Sequence, residues 1–132
     1  MARVLLTEDD EAVRVFVKRA LELDGHNVTA VEDGTEAAEA LLQNQGAFDL
    51  LLSDIKMPEM DGIDLAMQTS QRYPGLPILL MTGYADQRER SDELSGCIKD
   101  VITKPFSLVE VRQAVARALA GEEIHAKPRI YA

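Results

Sequence analysis

Apolar residues in this chain fall into five short runs, separated by longer stretches in which they recur every three or four positions. The runs are "VLL" at 4–6, "NVTAV" at 27–31, "DLLLS" at 49–53, "PILLM" at 77–81 and "IKDVI" at 98–102. Those at 50–52 and 78–81 are continuous rather than alternating, as expected of central strands covered on both faces. Between the runs, Val13, Phe16, Val17, Ala20 and Leu21 form one stripe at helical spacing, and Gly25 follows as a stop. Ala37, Ala38, Leu41 and Leu42 repeat the pattern, as do Ile63, Ala66 and Met67 after Gly62. The last helix opens with Ser107 and Glu110 spaced as a capping box, and its period turns Leu108, Val111, Val115 and Leu119 inward.

Five strand–helix units in this length predict an α/β fold: a five-stranded parallel sheet with helices on both faces and right-handed crossovers. One segment departs from the pattern. "DQRERSDELS", 86–95, has the length of a helix but only Leu94 to bury, which predicts a weakly held, solvated surface helix. After Ala120 the period is lost, so residues 1–120 are expected to form the domain and 121–132 an extended or disordered tail. No internal repeat or low-complexity stretch interrupts the alternation.

Composition narrows the function classes. The 132 residues suffice for one core without covalent staples. With 14 basic and 23 acidic residues the formal net charge is -9, which argues against a nucleic-acid partner, because phosphate backbones need clustered Lys and Arg. No apolar run approaches membrane-spanning length, and "MARVLLTEDD" meets acid too soon for a signal peptide. No membrane association and a cytoplasmic location are therefore expected. Asn27-Val28-Thr29 then reads as a chance match to a glycosylation site. The single cysteine, Cys97, fits a reducing compartment and reads as a packing residue rather than a nucleophile.

The polar residues carry the chemistry. In an open parallel sheet, ligands bind outside the carboxyl ends of the strands. The first strand ends in Thr7-Glu8-Asp9-Asp10, the third in Asp54, the fourth in Thr82-Gly83 and the fifth in Lys104-Pro105. Carboxylates at Glu8, Asp9 and Asp54 on one edge would repel each other and raise one another's pKa. A hard cation offsets such a cluster, and Mg²⁺ suits one or two carboxylates with waters and phosphate oxygens. Lys104 adds positive charge and Thr82 a hydroxyl, so Asp54 is equipped to attack phosphorus and hold an acyl phosphate. Each feature alone has a plainer reading. Asp9 or Asp10 could be only a helix N-cap, and Lys-Pro only a turn. Their joint occurrence at four strand ends favours the chemical reading.

The stretches "VLLTEDD", "LLLSDIKMPEMDGIDL", "ILLMTGYA" and "ITKPF" resemble the receiver domains of two-component response regulators, over residues 3 to about 119. The resemblance implies a flavodoxin-like (βα)5 fold and a phosphorylation-controlled signalling switch. It implies that Asp54 accepts a phosphoryl group from a histidine kinase or phosphotransfer protein. Asp9 and Asp54 would ligate Mg²⁺ with the main-chain carbonyl of Lys56, and Glu8 would act through water. Thr82 and Lys104 would bind the phosphoryl oxygens, and the Lys104–Pro105 bond is expected to be cis. The acidic segment and "TGYA" are similar to stand-alone receivers of alphaproteobacteria, including the CpdR type that gates an ATP-dependent protease. The family often keeps an aromatic residue three positions before the lysine. Val101 stands there in this chain, so Tyr84 is the candidate to take over the aromatic role, against a plain reading as an exposed loop tyrosine.

The expected output is contact with another protein, on a face made by 86–95, the fifth strand and the last helix. A phosphorylation-dependent homodimer on that face is the alternative. Three rival functions contrast with this one: a phosphate sink without an output partner, a binding module independent of phosphorylation, and an aspartyl-phosphate phosphatase. The last resembles enzymes with a second aspartate two residues after the first, a position held here by Lys56.

Overall fold

The computed structural model describes residues 1–83 and 96–121. Five parallel strands form one sheet: β1 (Arg3–Thr7), β2 (Asn27–Val31), β3 (Leu50–Asp54), β4 (Ile78–Thr82) and β5 (Asp100–Thr103), in the order β2-β1-β3-β4-β5. Four helices are described: α1 (Glu11–Leu23), α2 (Gly34–Gln43), α3 (Gly62–Arg72) and α4 (Leu108–Leu119). The expected helix over 86–95, Tyr84 and the tail from 122 onward lie outside the described residues.

The three leucines of β3 explain the layering. Successive strand residues point to opposite faces. Leu51 accordingly joins Leu5, Ile78, Leu80 and Val101 in a core closed by Ala37 and Leu41 of α2 and Leu65 and Ala66 of α3. Leu50 and Leu52 join Val4, Leu6, Leu79, Met81 and Ile102 on the other face, under Val17, Ala20 and Leu21 of α1 and Val111, Val115 and Ala118 of α4. A continuous apolar run is what a strand needs when both its faces are covered, and full burial of each such side chain contributes roughly 1.5–3 kcal/mol.

Helix starts follow local chemistry. Asp10, Asp33 and Asp61 cap α1, α2 and α3, each accepting from main-chain N–H groups of the first turn, and Ser107 and Glu110 form the expected capping box on α4. Gly25, at φ +86°, turns the chain from α1 into β2 in the left-handed region that favours glycine.

Two expectations shift. The fifth strand begins at Asp100, not Ile98. Ile98 is buried in the α2/α3 core ahead of the ladder, and the Lys99 N–H donates to the Ile78 carbonyl at 2.7 Å. The apolar stripes are also narrower than their period suggests. Phe16, Leu42 and Met67 are 40%, 54% and 43% exposed, while Val17 and Leu21, Leu41, and Leu65 and Ala66 fill the core.

Candidate functional site

The strand order reverses between β1 and β3: β2 lies on the far side of β1, and β3 on the other. Crevices at the carboxyl ends of strands form at such a switch point. The cavity found there measures about 490 Å³ and is lined by Glu8, Asp9, Asp10, Asp54, Lys56, Gly83 and Lys104.

Its acids come from two strand ends. β1 stops at Thr7, and the Glu8 N–H donates to the Val31 carbonyl at 3.1 Å, carrying the β1–β2 pairing one residue further. Glu8 is wholly buried and Asp54 only 6% exposed, whereas Asp9 is exposed. One oxygen from each of these three carboxylates lies within 4.8 Å of the others. Asp10 is set apart from them in role. Its Oδ1 accepts from the Val13 N–H at 3.1 Å, so Asp10 is the N-cap, and Asp9 is the one of the pair that joins the cluster with Glu8 and Asp54.

Lys104, delivered by the end of β5, balances part of this charge. Its Nζ lies 2.7 Å from Glu8 Oε1 and 3.2 Å from Asp54 Oδ1. The Glu8–Lys104 pair is thus the closer of the two. The Lys104 N–H donates to the Thr82 carbonyl at 2.7 Å, and the Lys104–Pro105 peptide bond is cis. Asp54 Oδ1 also accepts from the Ile55 N–H at 3.0 Å, which orients the carboxylate at the strand end. Thr82 is buried at the end of β4 and is not among the cavity's lining residues. Val101, at the position of the missing aromatic, is a buried core residue of β5.

Burial dominates the electrostatics. Loss of hydration pushes the Glu8 carboxyl up to about 7 from its ordinary 4.5; the Lys104 hydrogen bond opposes this, and the Asp54 charge adds to it. Burial likewise raises Asp54, against the pull of Lys104. For Lys104 itself burial works downward, but Glu8 and Asp54 outweigh it and hold the ammonium above its ordinary value.

A prediction follows for stability. Glu8 binds its proton more tightly in the fold than in the unfolded chain, so its contribution is fully present below about pH 4.5 and is lost as pH rises through about 7. In chelator, the protein should lose stability between about pH 5 and pH 8, by roughly 1–3 kcal/mol from this residue. Glu8→Gln should flatten that loss in urea melts at the two pH values. The raised Asp54 gives a remainder of the same sign. A pH slope unchanged by Glu8→Gln would show that Glu8 is not the buried acid that carries it.

The sequence matches the family described as the response regulator receiver domain over residues 4–116. The chain belongs to the receiver domain family. It is 40% identical over 119 residues to the response regulator receiver protein CpdR of Brucella abortus, covering 90% of this chain and 98% of that one. It is 36% identical over 126 residues to the transcriptional regulator NtrC of Escherichia coli, covering 96% of this chain but 26% of that longer protein. Among solved structures, the NtrC receiver domain in its apo form superposes with a TM-score of 0.80 at 36% identity, over 91% of this chain and 95% of that one. The response regulator TrrA of Thermotoga maritima, in complex with Mg²⁺-BeF, gives 0.79 at 28% identity, over 89% and 99%.

As a receiver, the protein is a phosphorylation-controlled switch of two-component signalling. Receivers accept a phosphoryl group, bind Mg²⁺ at an acidic pocket and interact with histidine kinases or phosphotransfer proteins; as a family they are not catalytic enzymes. This speaks against the phosphatase, and it does not favour the phosphorylation-independent module or the sink. No helix among the described residues is long and apolar enough to cross a membrane.

The sequence reading missed one residue at this site. Arg14, in the first turns of α1, donates from Nη1 to the main-chain carbonyl of Glu8 at 2.8 Å. Its partner is backbone, which leaves no mark in a sequence.

Proposed function

We propose that Asp54 is the phospho-acceptor, taking its phosphoryl group from the phosphohistidine of a kinase or phosphotransfer protein. The observation that carries this is the meeting of three carboxylates and one ammonium at the switch point, with Asp54 and Lys104 paired and both lining the cavity. A carboxylate oxygen of Asp54 attacks phosphorus, an O–P bond forms, and the N–P bond to the donor imidazole breaks with its electrons going to nitrogen. Hydrolysis of the acyl phosphate by water would return Asp54 to its starting state.

The donor set fits Mg²⁺: hard oxygens, two of them on buried acids whose mutual repulsion a cation relieves. Asp9, Asp54 and the Lys56 carbonyl would hold the ion, with Glu8 acting through water. Bound there, Mg²⁺ supplies positive charge for phosphoryl oxygens. On the protein side, Lys104 is already 3.2 Å from Asp54, and Thr82 at the adjoining strand end is the hydroxyl proposed to take a phosphoryl oxygen. Tyr84 is proposed as the stand-in aromatic.

The output is a protein contact through the face of β5 and α4, in a cytoplasmic setting. Incubation with each histidine kinase of the host and Mg²⁺ tests the donor. Rapid transfer from one or a few is the expected profile, and transfer from none would reject the kinase reading.

The cation arm has its own test. Mg²⁺ affinity, read by calorimetry, should fall at least tenfold in Asp9→Ala and less in Glu8→Ala, because the latter contact is proposed to run through water. Parent-like binding in both variants would reduce Glu8 and Asp9 to structural acids.

A further inference from the structure

Arg14 is placed where a surface arginine has no need to be. Its side chain is only 16% exposed, reaching back from α1 to the turn that follows β1. One nitrogen, Nη1, donates to the Glu8 carbonyl at 2.8 Å. The other, Nη2, lies 3.6 Å from the largely exposed carboxylate of Glu32, beyond the end of β2. Glu8 is therefore held from both sides of its backbone: its N–H by Val31 and its carbonyl by Arg14. The peptide whose carbonyl Arg14 grips is the Glu8–Asp9 peptide, which joins two members of the acid cluster. Any rotation of that peptide swings the Asp9 side chain relative to Asp54.

The geometry points to Arg14 as a positioning residue for the cation site: it fixes the Glu8–Asp9 peptide so that the exposed carboxylate of Asp9 meets those of Glu8 and Asp54. This rests on the Mg²⁺ site proposed above. Groups one layer out from a metal site orient its ligands, and their loss commonly weakens binding by about tenfold or more. A hydrogen bond from a charged donor to a partly buried carbonyl is among the stronger ones available to do so.

The sign of the effect separates positioning from simple charge. Arg14 is a cation near a cation site, so Coulomb's law alone makes its removal tighten Mg²⁺ binding. Positioning makes removal weaken it. The probe is Mg²⁺ alone, titrated by calorimetry into the full chain and into Arg14→Gln, Arg14→Lys, Glu32→Gln and Asp9→Ala, each checked for a dispersed amide NMR spectrum. Arg14→Gln is expected to bind about tenfold more weakly. Arg14→Lys keeps a charged donor and should fall between Arg14→Gln and the parent. Glu32→Gln should stay within about twofold of the parent, because exposed pairs are weak. Should Arg14→Gln not fold, Arg14→Lys carries the test: affinity equal to or tighter than the parent overturns the proposal. Equal or tighter binding by a folded Arg14→Gln overturns it likewise. Asp9→Ala distinguishes the two levels. If it too binds like the parent, the cation site itself is wrong; if it weakens binding while Arg14→Gln does not, only the role of Arg14 fails.

Discussion

Replacement of Asp54 by asparagine should abolish phosphorylation while leaving the fold intact. The amide is nearly the same shape and can still accept from the Ile55 N–H, which lies 3.0 Å from Oδ1 in the parent. It has no anionic oxygen to attack phosphorus. In chelator at about pH 8 the variant should be more stable than the parent, because burial disfavours the ionised carboxylate and Glu8 stands beside it. Lys104 keeps its closer partner, Glu8, so no buried charge is left alone. Intact mass after incubation with acetyl phosphate and Mg²⁺ reads the first part, and urea melts read the second. Phosphate incorporation at the parent's level would show that another residue is the acceptor. Lower stability would show that Asp54 is held by more than its charge allows.

Gly62→Ala should be the most damaging single methyl in the described part of the chain. Gly62 opens α3 directly behind the acceptor, and its N–H donates to the Ile55 carbonyl at 2.7 Å. A Cβ built there would lie 2.1 Å from the Asp54 carbonyl oxygen and 2.8 Å from Ile55 Cα. Both obstacles are backbone, so no side chain can rotate out of the way. Either α3 retreats, opening the core around Ile63 and Ala66, or the end of β3 shifts and moves Asp54. We expect a loss of about 3 kcal/mol, net of the better helix propensity of alanine, with slower phosphorylation of the molecules that remain folded. Gly75→Ala is the matched control. Nothing lies within 4 Å of a Cβ there, and stability should change by less than about 0.5 kcal/mol. Equal melts for the two variants would show that the approach of Gly62 to Asp54 is not tight.

What could be read without coordinates follows from where the signals lie. The two central strands β3 and β4 were legible because burial on both faces leaves an uninterrupted apolar run, as in Leu50, Leu51 and Leu52. The site was legible because the strand ends of a parallel sheet gather their polar residues in one place, and Glu8, Asp9, Asp54 and Lys104 all line one cavity. Helical period was a poorer guide to burial. Phe16 sits on the predicted stripe of α1, yet it borders an open apolar cavity of about 360 Å³ with Ala12, Val13, Pro105 and Phe106. Period fixes a helix's apolar face but not how far the neighbouring helix covers it. Asp9 and Asp10 could not be told apart by composition. The N–H of Val13 separates them, because only one carboxylate of the pair can cap α1. Ile98 misled the start of β5, since an apolar residue can be buried by a loop before the ladder begins. Arg14 was invisible for a different reason: it acts on a carbonyl that every residue has.

Mapping the phosphoryl group is the most direct test of the account. The protein would be phosphorylated in Mg²⁺, by acetyl phosphate and by a cognate kinase. Borohydride would then reduce the acyl phosphate, and peptide mass spectrometry would locate the reduced residue. The expected result is a single reduced aspartate at Asp54, formed only when Mg²⁺ is present. Reduction at Asp9, Asp10 or Glu8, or full labelling without Mg²⁺, would contradict it.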